Sequence, residues 1–165
     1  MHALVPARER WSAHRGLVRI RALLASFSLL ALGGCLGTSS HGLAEFRVEG
    51  DGIAQPLAAA AADPERGRQV VMGREGNCLL CHALPETGAR FMGDLGPSLS
   101  GVGARLTASQ LRLRLVDAIR LNPQTIMPSY YRVDGLARVA SPFRGKPILS
   151  ARQIEDVIAY LEQLR

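Results

Sequence analysis

Cys78-Leu79-Leu80-Cys81-His82 is the stretch on which the reading of this sequence turns. Two thiols three positions apart, near the end of a helical segment, can reach the two vinyl groups of a single haem, and the adjacent histidine can swing its imidazole under the iron. The macrocycle is rigid, so both thioethers and the proximal ligand must come from one turn of chain. Two other chemistries use such a pair. A thioredoxin-like redox couple needs an alternating strand and helix framework, and no strand pattern longer than Arg138 to Ala140 is visible. Zinc needs two further ligands, and outside the motif no Cys or His follows His41. Covalent haem on Cys78 and Cys81, with His82 on the iron, is the expectation.

Downstream of His82 two methionines compete for the sixth position. Met92 lies ten residues on, in a stretch suited to wrapping the proximal edge. Met127 is followed by Pro128 and preceded by Asn122-Pro123-Gln124-Thr125, so its backbone is held out of helix and its thioether can point inward. Met127 is therefore the expected ligand, against a core methionine as the plainer reading. His/Met ligation raises the potential. An iron-bound histidine usually donates its second ring N–H to a carbonyl, and Pro97 in Gly96-Pro97 is the candidate acceptor. Tyr130 and Tyr131 are candidates for anchoring a haem propionate. Arg120, Arg132 and Arg138 are candidates for docking or propionate pairing, with solvated arginines as the plainer reading.

Helix signals flank the motif. Asp63-Pro64-Glu65 supplies an Asp N-cap, a Pro at the first helical position and an acid in the first turn, and predicts a helix to about Glu75. Ala83 to Leu106 carries seven glycines or prolines and reads as loop. Thr107 with Gln110 forms a capping box for a helix ending near Leu121, with Leu111, Leu115, Val116 and Ile119 on one side. Ser150 with Gln153 repeats the box, and Ile154, Val157, Ile158, Leu161 and Leu164 give the last helix an apolar stripe. The expected fold is all-α, three main helices and long loops around one covalent haem.

The N-terminal part reads differently. Arg19 and Arg21 precede the apolar run Ala22 to Leu32, then Gly33-Gly34-Cys35, the order of a secretory signal peptide. The run is too short to span a bilayer, which takes about 20 residues. Residues 1–35 are assigned to a signal peptide of lipoprotein type with Cys35 as the acylated residue, cleavage after Ala44 being the alternative. Translation starting near Val18 would give the leader a compact basic start. Residues 36–62, rich in Gly, Ser and Ala, are expected to be a flexible tether, and 63–165 the folded domain.

This division changes the meaning of the charge. The chain has 165 residues, 20 Lys+Arg against 14 Asp+Glu, and a formal charge of +6, which would suit a nucleic-acid partner if it were spread over the fold. Five arginines and one acid precede Cys35, so the remainder of the chain holds 15 basic and 13 acidic residues. No nucleic-acid partner is expected. Length suits one domain with appendages, and 47% hydrophobic residues are enough for a core.

From about Asp63 to Arg165 the sequence resembles the class I cytochromes c: an N-terminal helix entering Cys-x-x-Cys-His, a Gly-Pro turn, a methionine loop and a C-terminal helix. In that family the terminal helices cross where a glycine meets an aromatic residue, and Gly67 and Tyr160 would fit. Gly93-Asp94-Leu95-Gly96-Pro97-Ser98-Leu99-Ser100-Gly101-Val102-Gly103, the stretch Asn122 to Tyr131, and Gly145-Lys146-Pro147-Ile148-Leu149-Ser150 resemble the SoxX family, the monohaem subunits of SoxAX complexes. The resemblance implies a subunit of L-cysteine S-thiosulfotransferase, which couples thiosulfate to a cysteine of the SoxY carrier. It also implies a SoxA-like partner that supplies the sulfur chemistry, one haem c that accepts electrons, and a downstream electron acceptor. With the leader, it implies a periplasmic protein, anchored to the membrane through Cys35 if that residue is acylated. A free class I cytochrome c serving an oxidase is the alternative, and a gas-sensing haem module a third reading.

Overall fold

Asp63 sets the first helix of the computed structural model, in which residues 42–165 are described. The signal peptide, the Val18 start, Cys35 and the beginning of the tether lie outside these residues. The Asp63 carboxylate accepts from the backbone N–H groups of Glu65 and Arg66, satisfying donors that the first helical turn leaves orphaned, worth about 1 kcal/mol. Helix α1 runs Pro64–Met72 and stops at Gly73, three residues before the expected end. Glycine costs helix stability, and Gly73 adopts an extended conformation there.

A short helix, α2, spans Val102–Arg105 inside the stretch expected to be loop. Helix α3, Ala108–Asp117, begins with the complete Thr107/Gln110 capping box. Its winding tightens into a 3-10 turn at Ala118–Arg120, so the helical path reaches Leu121 by a different geometry. Leu111, Leu115 and Val116 are buried, whereas Ile119 is exposed. Helix α4, Ala151–Leu161, has the Ser150/Gln153 box, and Ile154, Val157, Ile158 and Leu161 are all buried. Arg138 to Ala140 forms no strand, and the one β-bridge among the described residues joins Glu49 and Gly52.

Helices α1 and α4 meet at Gly67. A Cβ there would strike the Asp156 carbonyl oxygen and come 2.9 Å from Val157 N, so glycine admits the α4 backbone itself, one turn before Tyr160. The crossing is locked by Asp156, whose carboxylate accepts from Arg66 Nε and Nη2 and from Asp63 N–H at 2.7 to 2.9 Å.

The expectation of a tether over 36–62 is corrected for residues 42–62, which belong to the same compact unit as the helices. Ile53 is fully buried and Leu57 nearly so, each contributing about 1.5–3 kcal/mol of hydrophobic transfer. A buried ion pair fastens this strap. Arg112 donates through Nε and Nη2 to both carboxylate oxygens of Glu155 at 2.8 Å, and through Nη1 to the Ile53 carbonyl at 2.7 Å. Glu155 also accepts from Leu57 N–H. Every buried side-chain nitrogen and oxygen among the described residues has a partner.

Candidate haem site

Asn77 turns the chain left-handed at φ 49°, and the next three residues form a 3-10 turn, Cys78–Leu80. His82 N–H and Cys81 N–H both donate to the Cys78 carbonyl, at 3.0 and 3.1 Å. One tight turn thus presents the two cysteines and the histidine together. Both cysteines are free and half-buried.

The stretch Gly93–Leu99 is laced to the underside of that turn. Gly93, Gly96 and Leu99 donate to the carbonyls of Leu79, Cys81 and Ala83. This lacing brings Pro97 under His82, whose Nδ1 stands 2.6 Å from the Pro97 carbonyl oxygen. A carbonyl can only accept, so Nδ1 carries the hydrogen and Nε2 keeps a free lone pair. Gly96 has to be glycine here. A Cβ would strike the imidazole, with Nδ1 only 2.7 Å away.

Met127 comes from a separate stretch of chain. Its N–H donates to Thr125 Oγ1 at 3.1 Å, and an Asx turn at Asn122 sets up the approach. Ser129 then bonds Asp117 at 3.0 Å. Tyr130 N–H donates to the Leu115 carbonyl and Tyr130 OH to the Gly76 carbonyl at 2.7 Å, tying the methionine loop to the segment that enters the cysteine turn. Tyr131 OH accepts from Ala44 N–H.

Residues of both stretches line a cavity of about 440 Å³. Cys78, His82, Pro97, Thr125 and Met127 all line it, with Val71, Leu99, Leu115 and Leu161 among the apolar surfaces. Cys81 does not line it. Met92 is excluded as well, and its sulfur is already engaged, accepting from Leu84 N–H at 3.1 Å. Burial pushes the Cys78 thiol up to about 11, only partly opposed by a hydrogen bond with Tyr130. Tyr130 is itself raised, first by burial and then by Cys78.

The cationic groups at the cavity are Arg105 and Arg114. Arg105 is held by the carbonyls of Ser98 and Ser100, Arg114 by that of Gln110, and neither has a carboxylate partner among the described residues. The arginines nominated from sequence stand elsewhere. Arg120 and Arg132 face Asp117 at 3.3 and 3.8 Å, and Arg138 lines a separate groove. The hydroxyls of Tyr130 and Tyr131 bond the Gly76 carbonyl and the Ala44 N–H, and neither tyrosine lines the cavity. The spacing of Arg105 after the Gly-Pro turn gave no helical phase from which to place it, because α2 is a single turn.

The residues fit a covalently held haem: two free thiols and an imidazole on one turn, a thioether lining the same cavity, apolar surfaces, and two cations without a carboxylate partner among the described residues for its carboxylates. Among the described residues no group of three or more His, Cys, Asp or Glu could hold a metal ion, so the zinc reading finds no ligand set. No described helix is long and apolar enough to cross a membrane.

Comparison with known proteins agrees with this geometry. The family description that matches residues 64–165 is "Cytochrome c". Among solved structures, a chain of the crystal structure of SoxXA from P. pantotrophus superposes with a TM-score of 0.67 at 36% identity, covering 73% of this chain and 94% of that one. No curated protein matches the sequence.

Proposed function

This chain belongs to the cytochrome c family and is of the SoxX kind, and from that premise we propose that it is the electron-accepting subunit of a SoxAX L-cysteine S-thiosulfotransferase. The observation that carries the reading is the match over 94% of a chain of SoxXA, joined to a cavity that His82 and Met127 both line.

In this reading Cys78 and Cys81 would form the thioethers of one haem c, and His82 Nε2 and Met127 Sδ would hold its iron. Pro97 holds the imidazole in the tautomer that leaves Nε2 free, and Arg105 and Arg114 take the carboxylates. Haem bound there supplies a one-electron couple, its potential raised by the methionine. Apolar walls from α1, α3 and α4 keep water from that couple.

Joining thiosulfate to a carrier thiol forms an S–S bond and releases one proton and two electrons. The described residues contain no cysteine besides Cys78 and Cys81, so the sulfur chemistry belongs to a SoxA-like partner acting on SoxY. This chain accepts the electrons one at a time and passes them to a downstream carrier. Export to the periplasm by the leader, with a lipid on Cys35, completes the proposal.

Purification from the native host tests it. The holoprotein should come with a SoxA-like chain and be reduced when thiosulfate and the carrier are added. A monomer found with an oxidase, indifferent to thiosulfate, would sink the reading. Met127→Ala should abolish the methionine-sulfur charge-transfer band of the oxidised spectrum. A surviving band would refute the ligand assignment.

A further inference from the structure

Between Tyr131 and Ile148 the chain leaves the core and returns to its point of departure. Leu149 N–H donates to the Tyr130 carbonyl at 3.0 Å, and Tyr130, Tyr131 and Leu149 are buried, while most residues between them are exposed. Surface excursions with closed ends are often functional.

The charge of the molecule is concentrated there. Arg132, Arg138, Arg144 and Lys146 face a single acid, Asp134, giving the loop +3. The described chain has 15 basic and 13 acidic residues, a net of +2, so everything outside the loop sums to −1. Arg132 is engaged with Asp117 and with the Asp134 carbonyl. Arg138, Arg144 and Lys146 have no carboxylate within 4 Å among the described residues.

The loop also holds a groove of about 310 Å³ lined by Val133, Leu136, Arg138, Val139, Arg144 and Gly145. Arg138 is held at φ 59°, a conformation side chains rarely adopt and one that persists where surrounding structure imposes it. Leu136 and Phe143 stand exposed nearby. Guanidinium groups without carboxylate partners, Arg144 Nε donating to the Val139 carbonyl at 3.3 Å, stand beside apolar side chains and complement an acidic protein segment carrying an apolar residue, and a localised positive field speeds encounter with such a partner.

We propose that the loop 131–148 is the docking element for an acidic protein electron carrier. The inference rests on the electron-transfer reading in one respect: the loop is rooted at Tyr130, three residues from Met127, so a partner seated on it is tied to the methionine side of the cavity.

The test uses ferric holoprotein and a fluorescent glutamate-rich peptide with one central leucine, binding being followed by anisotropy. Wild type should bind with an affinity that falls as salt rises. Arg138→Glu with Arg144→Glu should weaken binding about tenfold or more, and Leu136→Ser should weaken the part that survives at high salt. A control of equal charge change, Arg74→Glu with Arg165→Glu, should stay within about twofold. Equal loss in both double variants would reduce the effect to net charge and overturn the proposal, as would absence of binding. Preferential binding to mixed phosphatidylcholine and phosphatidylglycerol vesicles through the same arginines would overturn it in favour of a membrane surface. The haem spectrum and potential of the loop variant should equal wild type, and their loss would refute a separable docking element. Anisotropy does not depend on haem, so failure of docking and failure of the haem reading are seen separately.

Discussion

At Gly96 the absent side chain is what the site needs. The His82 ring occupies the space a Cβ would take, and the same backbone presents the next carbonyl to Nδ1. Gly96→Ala should therefore tilt the imidazole away from Pro97 and lower the yield of protein carrying covalent haem, measured as haem absorbance per polypeptide; an unchanged yield with an unchanged spectrum would contradict this account. Tyr130 acts at a distance from the iron position, its hydroxyl linking the methionine loop to Gly76. Tyr130→Phe removes one buried hydrogen bond and leaves the Gly76 carbonyl unpaired, a cost of about 1–3 kcal/mol. It should lower the pH at which the methionine-sulfur band is lost, read by titrating the oxidised spectrum. The cysteine motif and Met127 could be nominated from sequence because the chemistry expected of them is local in sequence. Arg105 and Arg114 could not, since the role proposed for them rests on what surrounds them: backbone carbonyls and no carboxylate among the described residues.

Among the elements, both capping boxes and the Asp63 cap were readable, because each is completed within four residues. The strap was hidden for the opposite reason. Ile53 and Leu57 show no period in an alanine-rich stretch, and their partners are Arg112 and Glu155, distant in sequence. A buried Arg–Glu pair contributes little over an apolar pair of similar volume, but breaking it strands a charge. Arg112→Met should accordingly destabilise the fold by about 3–5 kcal/mol in denaturant unfolding, whereas Arg112→Met with Glu155→Leu should recover much of that loss. Additive losses in the double variant would show that the two side chains do not act as a pair.

For the whole molecule, resistance to acid depends on the place where its two terminal helices cross. Burial pushes the Asp156 carboxyl up, but hydrogen bonds from Arg66 and Asp63 outweigh this and hold it below its ordinary value. The stability it contributes is therefore complete above the unfolded pKa of about 3.9 and fades as pH falls through the lower folded value. Asp156→Asn should cost about 2 kcal/mol at neutral pH, and thermal melts of the two proteins should begin to converge below pH of about 4 and meet only below the lower folded value. A gap that persists in acid would assign the effect to packing. The excursion that begins and ends at Tyr130 and Leu149 has a different consequence. Because its ends are fixed to each other, its length and sequence can drift at little entropic cost to the core. If the loop docks the redox partner as proposed, a lineage could thus exchange one partner for another by rewriting it, leaving the cofactor and its potential inherited unchanged.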